Sequence, residues 1–127
     1  MTTATLPAIT EDTILATLQE VVRESPEKVY ESPEHMRTPG ATCFYVHTDE
    51  AGNRTGPGCI VGTVLHRLGV SLEALSEGEG WPAQSVLNHL ASDLDPELLA
   101  KLRRVQMSQD NGDTWAEAYS SEFGELS

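Results

Sequence analysis

The sequence is poor in several things at once. Its 127 residues include 2 cysteines, 2 tryptophans and 2 phenylalanines, and 8 lysines and arginines stand against 20 carboxylates. Two cysteines cannot make a disulfide framework, and in a reducing cytosol both are expected as free thiols. No window approaches the roughly 18 consecutive apolar residues that mark a membrane span, and the first residues lack the basic-then-apolar pattern of a secretory signal. These absences predict a cytoplasmic protein with no membrane partner. The shortage of cations leaves a net charge of −12, which repels nucleic acid and favours a basic protein partner. Neither a Walker loop nor a dinucleotide fingerprint is present, so no cofactor is expected. There is no internal repeat and no low-complexity segment.

What the chain does have is one strongly apolar stretch, residues 55–70. Ile60, Val61, Val64, Leu65 and Leu68 recur at the spacing of one helical face. Pro57 suits the turn before such a helix or its first position, and Gly69 suits the left-handed residue that closes it. Gly62 and Thr63 leave a slim side for close packing. A helix of about eleven residues is marginal alone in water, so residues 58–68 are expected at the buried centre of the domain.

The rest of the chain arranges itself around that helix. Residues 1–8 read as a disordered lead-in, 9–123 as one globular domain, and 124–127 as a flexible tail. Thr10 caps a helix carrying Ile14, Leu15, Leu18, Val21 and Val22, which should stop near Glu24 ahead of Pro26. Val29 and Tyr30 form a candidate edge strand, and residues 42–47 the best strand in the sequence. Residues 49–53 make a turn that returns Arg54 and Thr55 antiparallel. Ser71, Pro82, Asp95 and Thr114 then open four further helices, with Trp81 expected as a lid over the core. The fold class is α+β: a small antiparallel two- or three-stranded sheet packed against about five helices around a central buried helix.

Several short motifs resemble small uncharacterised proteins of actinobacteria and their phages. They are Val29-Tyr30, Cys43-Phe44-Tyr45, the helix opening from Gly58 to Gly62, the stop from Leu68 to Val70, and the run from Gln109 to Trp115. The resemblance spans about two-thirds of the chain and implies a phage or accessory-gene origin. It brings no activity with it, and it would make the cytoplasm that of a host cell.

Three chemistries can be read from the residues. The first is protein binding through acidic surface. Residues 1–50 hold nine acids and three bases, residues 71–127 hold eleven and three, and residues 51–70 hold Arg54 and Arg67 with no acid. Glu20, Glu24, Glu27 and Glu31, on the first helix and its exit, are the candidate contacts for a basic surface of a host protein. The second is a small anionic ligand, nucleotide-like, at Arg54, Gly56, Gly58 and Cys59, because helix N-termini attract phosphate; against it, glycines in a tight turn serve geometry first. The third is a cysteine-dependent hydrolase. A helix N-terminus favours the nucleophilic thiolate, which places Cys59 as nucleophile with His47 or His89 as base. His66 lies about 10.5 Å further along the helix and cannot serve. Against this, free cysteine is among the most buried residue types.

A metal set of Cys43, His47, Cys59 and His66 lacks the local spacing of a zinc site, so no metal is expected. The helix pair at 96–110 and 114–123 superficially suggests a DNA-reading turn, but the second helix carries Glu117 and Glu122 and no base. The leading reading is therefore a non-enzymatic acidic binding protein.

Overall fold

The computed structural model describes residues 9–36, 44–79, 81–91 and 94–124. The expectations for residues 1–8, for Cys43 and for 125–127 fall outside them. Helix α1 (Glu11–Glu24) opens on Thr10, whose hydroxyl accepts from the Thr13 amide while Thr13 reaches back to the cap. A single 3-10 turn follows at Glu34–Met36. Strands β1 (Val46–Thr48) and β2 (Arg54–Pro57) form an antiparallel pair in the register Val46↔Pro57, His47↔Gly56 and Thr48↔Arg54, with an irregularity after His47. The Asp49 carboxylate accepts from the Ala51 and Asn53 amides at 3.0 and 2.9 Å, which closes the hairpin. The Asn53 amide, more than any other group, holds this carboxyl below its ordinary pKa.

Then come α2 (Ile60–Arg67), α3 (Leu72–Glu77), α4 (Ala83–Leu90), α5 (Pro96–Asp110) and α6 (Trp115–Phe123). The result is a small α+β fold with a two-stranded sheet and six α-helices among the described residues. None of these helices is long and apolar enough to cross a membrane. The caps fall where side-chain chemistry places them: Ser71 accepts from the Ala74 amide, Asp95 from Glu97, and Thr114 from Glu117 in a reciprocal capping box. Gly69, at φ +102°, supplies the left-handed residue after α2.

Helix α2 lies at the centre, packed against α1, α3, α5 and β2. Ile60 and Leu65 are fully buried, and Val61, Val64 and Leu68 nearly so. Gly62 provides the expected slim side: a Cβ there would stand 2.5 Å from the Tyr45 carbonyl oxygen. At the inner junction of α1, α2, α4 and α5, Ile14, Leu65, Leu87, Leu102 and Val105 border a void of about 10 Å³. Its lining is apolar and it is at the lower size limit for one water, so it stays dry.

Three local expectations need correction. Val29 makes one isolated antiparallel bridge to Thr114 and does not form the expected edge strand, so the sheet has, among the described residues, two strands, the smaller of the expected numbers. The Trp115 amide donates to Lys28 O at 2.9 Å, so the segment after α1 is tied to the start of α6. Of the strand expected over 42–47, the described part, from Phe44, is regular only from Val46, because the Phe44 and Tyr45 amides donate to side chains and not to a neighbouring strand. Trp81 is 45% exposed and forms no lid; Leu75, Val86 and Leu87 close that side of the core themselves.

Candidate functional site

The richest polar network lies where the hairpin meets α2. Coming into β1, the carbonyls of Phe44 and Tyr45 accept from the Cys59 and Gly58 amides at 3.0 and 2.8 Å. The Tyr30 hydroxyl accepts from the Phe44 amide at 3.0 Å and shares a hydrogen bond of 2.7 Å with His47 Nε2. The Glu79 carboxylate accepts from the Tyr45 and Val46 amides at 2.8 and 3.1 Å. Burial raises the Glu79 pKa, and the two amides oppose that rise only in part. The folded pKa thus lies above the unfolded one. Ionising Glu79 therefore costs the folded protein more than the unfolded chain, so its contribution to stability improves as pH falls through the raised value. Desolvation, followed by the nearby Lys28 and His35 charges, lowers the His47 pKa, which favours the neutral ring.

The N-terminus of α2 is capped from a distance. Cys59 occupies the cap position without a side-chain cap bond. Instead, Gln109 Oε1 on α5 accepts from the Ile60 amide at 2.8 Å, and Gln106 Oε1 accepts from the Val61 amide at 3.4 Å. Both glutamines are buried. The amides of Gly58, Cys59, Ile60 and Val61 all have acceptors within the protein, so the donors on which an anion site would depend are occupied. Arg54 is exposed, and its Nε donates to Ser76 Oγ at 3.0 Å. Gly56 is only partly covered, with nothing within 4 Å of a Cβ built there. The four residues proposed for the anion are thus split: Gly58 and Cys59 lie in a buried junction, Arg54 and Gly56 outside it.

The cysteine arrangement fares no better. Cys59 is a free thiol with 0% exposure. The His47 ring lies so close to Gly58 that a Cβ there would meet its Nε2 at 2.5 Å, yet that nitrogen is engaged by Tyr30. His89 is on α4, edge-on to Trp81. His66 Nδ1 donates to Val70 O at 3.0 Å. No group of three potential metal ligands gathers among the described residues. A thiol without solvent access reacts only when the chain opens. Iodoacetamide at neutral pH should label Cys59 slowly in the folded protein and rapidly after unfolding, with peptide mapping to score Cys43 separately. Fast, selective labelling of folded Cys59 that slows on changing His47 or His89 would restore the hydrolase.

Charge is distributed differently from its pattern along the chain. Arg67, half of the cationic pair on residues 51–70, reaches back to α1: its guanidinium donates to Glu24 through two nitrogens at 2.7 and 2.8 Å and to Glu20 at 3.2 Å. That guanidinium holds the Glu24 pKa below the ordinary range. Arg104 pairs with Glu122 at 2.6 Å, and Lys28 and Lys101 lie 4.5 and 5.5 Å from the ring centres of Trp115 and Phe123. Glu27 and Glu31 are exposed and have no ion pair among the described residues.

Tyr30, Glu79, Gln106 and Gln109 are the residues that sequence reasoning passed over. Tyr30 and Gln109 enter only as members of short motifs, and the two glutamines also stand out as amides on the apolar face of α5 in line with Leu102 and Val105. Compared with protein-family models, curated proteins and solved structures, the chain matches none.

Proposed function

We propose that the protein binds a basic protein surface through its own carboxylates and is not built for catalysis. One observation carries the reading. Of its few cations, Arg67 and Arg104 are paired with carboxylates and Lys28 and Lys101 lie over aromatic rings, while most acids face solvent. With 20 acids against 8 bases, the exposed carboxylates outnumber the cations free to offset them. Such a field steers a basic partner and repels nucleic acid. The resemblance to proteins of actinobacteria and their phages supports a host protein as that partner.

Of the four candidate contacts, Glu20 and Glu24 are already committed to Arg67. Glu27 and Glu31 carry the larger share of the proposed interaction. Replacing both with lysine leaves the Arg67 bridge intact and should not shift the thermal midpoint. Association with the partner captured from its host should then slow roughly tenfold, as it should when salt rises well beyond the concentration that gives a screening length of about 8 Å. Dissociation should change less. A partner whose association rate ignores both salt and the two reversals would end this reading.

A further inference from the structure

Between α3 and α4 the surface opens into a groove. Ala74, Val86 and Leu90 give it an apolar lining, Trp81 and His89 are its aromatic members, and Glu77 supplies a carboxylate. Helical spacing explains the grouping, since Ala74 and Glu77 are three apart on α3, and Val86, His89 and Leu90 fall at i, i+3 and i+4 on α4. Gly78 lets the two helices approach, because a Cβ there would stand 2.9 Å from Val86 Cγ2. Trp81 is exposed yet anchored through its main chain. Its N–H donates to Gly78 O at 3.0 Å, and its carbonyl accepts from the Tyr45 hydroxyl at 2.5 Å. The His89 ring meets the indole edge-on, with centroids 5.7 Å apart. An aromatic ring already held in place loses little freedom on binding.

We infer that this groove receives a lysine or arginine side chain of the basic partner. The aliphatic stem lies along Ala74, Val86 and Leu90, and the charge rests against the Trp81 ring and the Glu77 carboxylate. The inference builds on the acidic-surface reading and specifies where on that surface the partner is anchored. Charge complementarity selects the occupant. No lysine or arginine lines the groove, Arg54 meeting α3 at Ser76 outside that lining, and Glu73 and Glu77 both stand on α3. An apolar occupant would strip water from Glu77 without replacing it. An anion would be repelled. The protein shows the matching contact twice within itself, where Lys28 covers Trp115 and Lys101 covers Phe123. No such cation covers Trp81 among the described residues.

The test uses an acetylated, amidated Lys-Leu-Lys-Leu-Lys peptide and its Gln-Leu-Gln-Leu-Gln counterpart, followed by ¹H–¹⁵N spectra of the intact protein. The lysine peptide should shift the Trp81 indole resonance and the amides of α3 and α4, and the glutamine peptide should not. Trp81→Ala and Glu77→Gln should each weaken binding by about fivefold, while Trp81→Phe retains most of it. Unchanged thermal midpoints would show that the variants are folded. Three results would overturn the inference: no shift with the lysine peptide, equal binding of the glutamine peptide, or shifts confined to α1 that survive Trp81→Ala. The last of these leaves the acidic-surface reading standing. Conversely, groove binding of the lysine peptide, together with a physiological partner indifferent to salt and to the Glu27 and Glu31 reversals, would remove that reading and leave the groove.

Discussion

Leu65→Ala should destabilise the protein by about 2–5 kcal/mol, near the upper end of that range. Leu65 is fully buried at the centre of α2 and already borders the void shared by α1, α4 and α5. Removing its branched end joins new empty volume to old, and the surrounding helices, packed against one another, have little room to collapse inward. Loss of stability therefore includes a cavity contribution on top of the transfer of methyl groups to water. Urea titration with an unchanged slope would measure it. A loss below about half a kcal/mol, the size typical of surface changes, would mean that α2 is peripheral.

Gly62→Ala should also destabilise, by about 1–3 kcal/mol, although alanine is the better helix former by about 1 kcal/mol. The intrinsic preference and the packing oppose each other here, and distance decides between them. The added methyl would stand 2.5 Å from a backbone oxygen, that of Tyr45, whose position is fixed by the amide of Gly58 and, through the residue's own N–H, by Glu79. A flexible side chain could swing away; this carbonyl cannot without opening the hairpin. Gly56→Ala is the control, because nothing lies within 4 Å of its Cβ position. Equal stability for the two variants, or a gain at Gly62, would contradict the close approach of α2 to β1.

What was legible in the sequence is what is local. Thr10, Ser71, Asp95 and Thr114 cap helices through groups two or three residues away, and Gly69 closes α2 from the next position but one. The apolar face of α2 announces itself by periodicity alone. The parts that stayed hidden depend on partners far along the chain. Tyr30 binds the Phe44 amide 14 residues on, Glu79 binds the Tyr45 amide across 34, and Gln109 binds the Ile60 amide across 49. A tyrosine or a glutamine carries no mark of which distant backbone group it will satisfy. The truncated strand has the same cause, since β-propensity at Phe44 and Tyr45 says nothing of the side chains that take their amides. The apparent cationic island dissolved likewise: Arg67 and Glu24 are 43 residues apart in sequence and in contact in space. Among the candidate site residues, Cys59 and Gly58 lie buried, whereas Arg54 and Gly56 lie nearer the surface, a division that spacing along the chain does not show.

The long-distance cap on α2 also bears on the order in which the chain can mature during synthesis. When residues 60–67 leave the ribosome, the two glutamines that will bond the Ile60 and Val61 amides have not yet been made. The same is true of Thr114, which pairs with Val29, and of the Trp115 amide, which closes on Lys28. Until α5 and α6 emerge, the central helix must leave those amides to water, and the first helix has no C-terminal helix to dock on. The docking of α1 and the capping of α2 therefore wait on later-made residues, and a nascent chain stalled before Gln106 holds its most apolar helix with its N-terminal amides still uncapped.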